Sequence, residues 1–498
     1  MNLRNSLYWF RHLLLIAGLG WAQFASAQDA PVSSTLEFES SDPALAQAFR
    51  WAKAQALAYA HPESESIGAW YEAALPGRDA FCMRDVSHQT TGAAALGLYS
   101  ANHNMLKRFA ASVAPERDWA GYWEIDRTGR PSTADYVSDS DFWYNLPANF
   151  DVLDAVVRMW RWTGDESYLS GPEFERFFQA TANSYISAWQ LQPGHILSRP
   201  RIMNRRLQSG KFVNSRGIPS YTEGRKDFNV GSDLLAAEYR ALQSLQQIAA
   251  ERHQPSTAER LQVTADAVQQ LIEQRAWSET EGHFHGFFSE SGTTFGSGDA
   301  MLLYFNAVRR PEHLRGALNS IASPEYWQHA NIEEESYLPL TFYRYGRSTD
   351  AYRILLDLSN SDKKRRDYPE VSYSVIAAIV SGTMGLEPSE EAGKDTIQTL
   401  SQLPDGADFA ELSGVTVKHN IVNLRHVGTT SSSLTNRSGP PLQWKASFPG
   451  IAARLKVNGK WMQAQHSSAS DTMTKSWVTV TVPPGSTFVV TYSVDGRH

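Results

Sequence analysis

The chain has 498 residues, 42 % of them hydrophobic and 20 % charged, with a formal net charge of −7 and a single cysteine. That acidic balance argues against a nucleic-acid binder, which needs clustered Lys and Arg for its phosphate partners, and one cysteine excludes an internal disulfide. Stability must therefore come from apolar burial, which a chain this long supplies in one large domain and one small one.

At the N-terminus Arg4 and Arg11 precede and accompany an apolar run, Leu13 to Leu19, and Ala25-Ser26-Ala27 offers a small-residue cleavage pattern. Residues 1–27 thus read as an export signal peptide, with an apolar run too short to stay as a membrane span. The mature chain is expected to begin near Gln28 and to work in the periplasm or outside the cell. The residue directly after the cleavage point is Gln28 and not a cysteine, so no lipid anchor is expected.

Residues 28–395 read as one helical domain. Between Ser41 and Met384 the apolar periodicity predicts about twelve helices and no strands. Two kinds alternate. Thr257–Arg275 is amphipathic, with Leu261, Ala265, Val268 and Leu271 on one face, whereas Gly92–Ala101 and Val371–Leu386 carry no charge and read as buried all round. Turns leading from an even to an odd helix are short: around Asn102, Thr163-Gly164-Asp165, His253-Gln254-Pro255, Arg309-Arg310-Pro311 and Gly346-Arg347. Connections from odd to even are mostly long: residues 61–85, 114–140, 192–229, 277–297, 323–332 and 360–369. Such a chain predicts a toroid of six helical hairpins, an (α/α)6 barrel, with all the long loops on one rim, where function is to be sought.

Past a linker containing Glu390, Glu391, Gly393 and Lys394 the period changes to two. Val415, Val417, Leu455, Val457 and the run Trp477 to Val482 alternate as strands do, with turn signals at Asn458-Gly459 and Pro484-Gly485. Residues 408–498 are accordingly expected to form a small β-sandwich.

With this organisation the chain resembles the six-hairpin glycosidases, a superfamily that includes glucoamylases, trehalases and α-L-rhamnosidases. The resemblance spans nearly the whole mature chain. It is carried by the helix count, the one-sided loops, Arg84-Asp85 before the second helix, Tyr239-Arg240-Ala241-Leu242 at the end of the sixth, and a β domain with Trp444 and Phe448. It implies an exo-acting glycoside hydrolase that uses two carboxyl groups, usually with inversion. One is protonated to help the leaving oxygen depart. The other is ionised to activate water, about 6.5–9.5 Å away.

The resemblance also implies where to look. The acid belongs in the loop before the sixth helix, where Glu223 and Asp227 are candidates and Arg225 stands where aligned helix ends put the carboxylate. The base belongs near the last connection, where Glu370 follows Pro369; ordinary helix-start chemistry is the alternative for that pair. Glu333, Glu334 and Glu335 form a second base cluster. Arg84 and Asp85 match the pair that binds the terminal sugar in glucoamylase-like enzymes, with an ion pair capping the second helix as the alternative. His88, Trp123, Glu124, Asp141, Arg225 and Glu335 complete the expected sugar contacts, aromatic faces stacking on the ring and polar groups reading its edge.

Cys82 has no base near it in sequence, which argues against a nucleophile. Asp139-Ser140-Asp141 lacks the spacing of a calcium loop. His283 and His285 are separated by one residue and show no third ligand, so no metal or cofactor is expected. The partner is an oligo- or polysaccharide. Arg199, Arg201, Arg205, Arg206, Lys211, Arg216, Arg225 and Lys226 hint at an acidic sugar such as glucuronate, beside rhamnose. A polysaccharide lyase, detectable by the ultraviolet absorbance of its unsaturated product, and a non-catalytic carbohydrate-binding protein are the competing readings.

Overall fold

The computed structural model describes residues 32–203, 208–389, 396–467 and 473–492. The expected signal segment, the linker residues Glu390 to Lys394, and Arg205 and Arg206 lie outside them.

Among the described residues the helical part is built on α1 (Pro43–Ala58), α2 (Met83–Ala95), α3 (Tyr99–Ser112), α4 (Pro147–Thr163), α5 (Pro172–Gln179), α6 (Ser232–Glu251), α7 (Pro255–Leu271), α8 (Asp299–Tyr304), α9 (Pro311–Ala322), α10 (Ile332–Arg344), α11 (Ser348–Ser359) and α12 (Pro369–Ala377). The even-numbered helices form a closed ring: α2 packs on α4, α4 on α6, α6 on α8, α8 on α10, α10 on α12, and α12 returns to α2. Outside it α3 lies against α2, α5 against α3, α7 against α6, α9 against α8, α11 against α10, and α1 against α11 and α12.

Burial explains the alternation. In α4, 14 of 17 residues are buried. In α7, of the same length, only Ala258, Ala265 and Val268 are. A helix enclosed by neighbours tolerates few charges, and one with a single covered face needs only a stripe. The ring closes where α2 meets α12. A Cβ on Gly92 would lie 2.1 Å from the Tyr373 carbonyl oxygen, so only glycine admits this approach.

Three details differ from the sequence reading. Gly92–Ala101 is not one helix, because Gly97 adopts φ +83° and ends α2, with α3 beginning at Tyr99. Tyr239 to Leu242 are not the end of α6, which runs on to Glu251. The long connections also carry short strands: Ala80–Cys82 pairs with Glu124–Asp126, and His283–Phe288 pairs with Thr294–Ser297 and Val230–Gly231. Most of these pieces are too short for alternation to show.

The C-terminal region is sheet-rich. A seven-stranded sheet runs in the order Glu37–Ser40, Phe409–Val417, Asn420–Val427, Ser431–Ser438, Ser486–Thr491, Arg454–Val457, Lys460–Gln463. A five-stranded sheet runs Glu387–Pro388, Thr396–Leu400, Leu442–Pro449, Lys475–Val482, Gln465–His466. Glu37–Ser40 and Thr396–Leu400 thus join these sheets from outside residues 408–498.

The sheets meet the ring at the C-terminal ends of the inner helices. The Trp162 indole donates to the Thr416 carbonyl at 3.0 Å, Lys418 N donates to Trp162 O at 2.8 Å, and His426 Nε2 donates to Met384 O at 3.0 Å. The long connections occupy the opposite end.

Gly92→Ala should cost about 1–3 kcal/mol or more in unfolding free energy, since backbone rather than a flexible side chain must move. Gly194→Ala, at an exposed position where a Cβ meets nothing within 4 Å, should change it by less than about 0.5 kcal/mol or stabilise slightly. Denaturant unfolding of both variants checks this.

Candidate functional site

At the N-terminal end of the ring a cavity of about 1320 Å³ is lined by residues from all six long connections and the starts of α2, α6, α8, α10 and α12. Strand pairing ties the first two connections together. Cys82 is in register with Glu124, and Met83 N donates to Trp123 O at 3.0 Å. This fixes where α2 begins, and with it Arg84 and Asp85.

Arg84 is the hub. Its Nη2 lies 3.0 Å from Glu333 Oε2, its Nε 3.3 Å from Asp85 Oδ1, and its guanidinium 5.2 Å from the centre of the Tyr221 ring. The three consecutive glutamates at the start of α10 separate by helix geometry. Glu334 belongs to a capping box, its Oε2 accepting from Asn331 N at 3.1 Å. Glu335 turns to Lys363, 2.5 Å away, outside the cavity. Glu333 alone of the three reaches Arg84.

Glu370, in the first turn of α12, is 4 % exposed, and its Oε2 has no hydrogen-bond partner among the described residues. Burial, reinforced by Asp85 and Glu333, pushes its carboxyl well above the usual range despite the opposing charge of Arg84. Asp85 is raised to about 7, by burial first and by Glu333 and Glu124, against the pull of Arg84. The start of a helix favours a carboxylate by only about 0.3–1 kcal/mol when exposed, which is small beside the cost of desolvating one. Burial thus favours the protonated form of both groups, whereas the sequence reading expected Glu370 as an ionised base.

Glu223 opens onto the cavity and accepts from Asn145 Nδ2 at 3.1 Å. Its carboxyl is also raised, by the protein packed around that side of the cavity, with Arg84 and Asn145 holding it down. Asp227 behaves oppositely. Its side chain is 59 % exposed, off the cavity, and paired with Arg225 at 2.8 and 3.1 Å, and that hydrogen bonding lowers its carboxyl. An exposed carboxylate stabilised as the anion makes a poor proton donor.

Of the other expected contacts, Trp123, Glu124 and Arg225 line the cavity. Arg78 Nη1 spans Glu124 at 2.9 Å and Asp135 at 3.4 Å, and Arg225 lies over the Phe295 ring, 4.8 Å from its centre. His88, Asp141 and Glu335 do not reach the cavity. His88 is buried behind it, with Nε2 3.1 Å from Asp151 Oδ2, and Tyr221 donates to the same carboxylate. Asp141 accepts from the backbone N–H groups of Lys211 and Phe212, at 3.0 and 2.8 Å, and so anchors a loop.

Tyr337, Asn145 and Asp233 were not singled out from sequence. Tyr337 sits one helical turn after Glu333, which is the signal that could have found it; its hydroxyl is buried beside Glu370 and Arg84 without a partner among the described residues. Burial raises Asp135 and Asp233 each to about 6. Aromatic faces at Trp123, Trp143, Tyr221, Phe287, Phe295 and Tyr326 complete the wall.

No protein-family model matches the chain, and no curated protein matches it. Solved structures do. The α-L-rhamnosidase of Dictyoglumus thermophilum superposes with a TM-score of 0.59 at 13 % identity, over 93 % of this chain and 51 % of that one. The Streptomyces avermitilis α-L-rhamnosidase complexed with L-rhamnose gives 0.56 at 13 % identity, over 92 % and 42 %. The Aspergillus terreus α-L-rhamnosidase gives 0.54 at 13 % identity, over 90 % and 50 %. At these identities the likeness is one of fold, and the chain spans about half the length of these three rhamnosidases or less.

The proton on Asp85 makes a stability prediction. The folded protein holds it to about pH 7, while an unfolded chain releases it near pH 3.9. Between those values the folded state binds more protons, so this group's contribution to stability falls as pH rises. Asp85→Asn removes that dependence. The unfolding free energy of the variant relative to wild type should improve by roughly 2–4 kcal/mol from about pH 4.5 to 8, at about 1.36 kcal/mol per pH unit. A difference independent of pH in chemical denaturation would show that Asp85 is ionised throughout.

Proposed function

We propose that the protein is a glycoside hydrolase, an (α/α)6 barrel backed by a β-sandwich, that removes a terminal sugar from an oligo- or polysaccharide. The observation that carries this reading is the set of carboxyl groups around Arg84, in which burial of Glu370 and Asp85 favours their protonated form while Glu223 faces the open cavity. Two carboxyl groups driven apart in environment are what acid–base cleavage of a glycosidic bond needs.

The electrostatics favour Glu370 as the proton donor to the leaving oxygen, sharing its proton with Asp85, and Glu223 as the base that activates water. Arg84 and Tyr337 supply donors for sugar hydroxyls, and the indole of Trp143 or Trp123 offers a face for the ring. A separation of about 6.5–9.5 Å between donor and base would give inversion. The sheets cover the far end of the ring, so a chain end rather than a chain middle suits the cavity, which supports exo action.

The described residues lining the cavity include ten carboxyl side chains and three arginines. That excess disfavours an anionic sugar. Of the described basic residues in the connection before α6, only Arg225 lines the cavity; Arg199 is buried against the Trp189 carbonyl and Arg216 is paired with Asp118 at 2.7 Å. A neutral sugar, rhamnose among the candidates, therefore fits better than a uronate, and a lyase, which must neutralise a uronate, loses support for the same reason. The same reading has the protein acting after export, in the periplasm or outside the cell.

A panel of natural oligosaccharides and nitrophenyl glycosides tests the roles. Glu370→Gln should lose at least about 10²-fold on an oligosaccharide and recover much of that loss on the nitrophenyl glycoside, whose leaving group needs no proton. Glu223→Gln should lose as much on both and respond to added azide. Near-wild-type turnover by both variants, with product release by the wild type, would move the chemistry to other carboxyl groups.

A further inference from the structure

We propose that Glu281, His283 and His285 form a binding site for a divalent transition-metal ion of the zinc class at the wall of the cavity. The site is independent of the hydrolase reading and stands or falls without it.

The local sequence builds it. The chain turns at Gly282, with φ +72°, and enters the strand His283–Phe288, where alternate residues are buried: Phe284, Gly286 and Phe288. His283 and His285 consequently share the other face. Glu281, just before the turn, comes onto that face and supplies the third ligand that the sequence alone does not show. One ligand atom from each of the three lies within 4.8 Å of the others.

The hydrogen bonds behind the rings point the same way. His283 Nδ1 lies 3.0 Å from the Phe284 carbonyl oxygen, and a carbonyl only accepts, so Nδ1 carries the hydrogen. In a neutral ring Nε2 is then an unprotonated lone pair, and it faces Glu281 Oε2 at 3.3 Å. His285 Nδ1 is engaged by Thr294 Oγ1 at 2.7 Å, and its Nε2 lies 2.6 Å from the same Glu281 oxygen. Imidazoles anchored through one nitrogen while the other turns to a common point are the usual setting of a metal-ligating histidine.

A lone pair directed at a carboxylate is repulsive unless a cation or a proton lies between them. An ion bonded at about 2.0–2.1 Å to each ligand in a tetrahedron sets those ligand atoms roughly 3.3 Å apart. The His283–Glu281 separation already has that value. The shorter one opens by rotation of Glu281, whose side chain is 54 % exposed.

Three protein ligands leave at least one coordination position free. Because all three residues line the cavity, that position is available to an oxygen donor of a bound molecule, such as a sugar hydroxyl or carboxylate. The acidic cavity attracts the cation, which is consistent with ten carboxyl side chains among its described lining residues.

Chelator-treated full-length protein titrated with Zn²⁺ by calorimetry, and with Co²⁺ by visible absorbance, tests the site. The wild type should bind one equivalent, with a visible Co²⁺ band that reports nitrogen ligation, and its melting temperature should rise with ion concentration. Glu281→Gln, at an exposed position the fold does not need, and His285→Ala should each weaken uptake at least about 100-fold and abolish the Co²⁺ band. Wild-type protein that takes up no ion, or uptake unchanged in both variants, would overturn the proposal and leave a proton between His283 and Glu281.

Discussion

The contact on which the site depends contains no catalytic atom. It is the approach of α2 to α12 at Gly92, where the missing Cβ lets the helix pack against the Tyr373 carbonyl. That approach closes the ring of inner helices and puts two helix starts side by side. Asp85 is in the first turn of one and Glu370 in the first turn of the other. Their carboxyl groups are brought together by backbone packing, not by attraction between them. The strand pairing of Cys82 with Glu124 and the capping box at Asn331 then bring Glu124 and Glu333 to the same place.

Crowded carboxyl groups in a buried site have two ways out: neutralisation by a cation, or retention of a proton. Arg84 provides the first, touching Asp85 and Glu333. One guanidinium is not enough for three carboxyl groups: burial still raises Asp85 to about 7, and Glu370, the most buried of them and without a partner for Oε2 among the described residues, is left to the second. A carboxylic acid kept neutral near pH 7 is costly to the folded state, and that cost is what makes it useful as a donor. The contrast with Asp227 is instructive. It sits only four residues from Glu223, yet bonded to Arg225 and surrounded by water it has no reason to hold a proton.

Much of this architecture was legible in the sequence because loop length and helix polarity are local properties. The short turns at Gly164, Pro255, Pro311 and Gly346 and the long connections between them appear where they were expected, and residues of all six long connections meet at one cavity. The β pattern of Trp477 to Val482 was equally readable. What sequence left open depended on depth. Glu370 reads as an ordinary helix-start acid until its burial is known. Glu333, Glu334 and Glu335 are indistinguishable until the helix phase sends them in three directions. His88 and Asp141 looked like ligands because they stand among aromatic and acidic residues, but one is buried against Asp151 and the other anchors a loop. Glu281 gave no signal beside His283, because only the turn at Gly282 brings it back over the strand.

The central claim is that Glu370 is a neutral carboxylic acid in the resting protein at neutral pH. Infrared difference spectroscopy of wild type against Glu370→Gln at pH 7 tests it directly. Buried acids away from the pair, including Glu238 within α6, whose carboxyl is also pushed well up by burial, cancel in the difference. The account predicts a protonated-carboxyl C=O band present in the wild type, shifted in heavy water and missing from the variant. A difference spectrum showing instead the loss of ionised-carboxylate bands would contradict it.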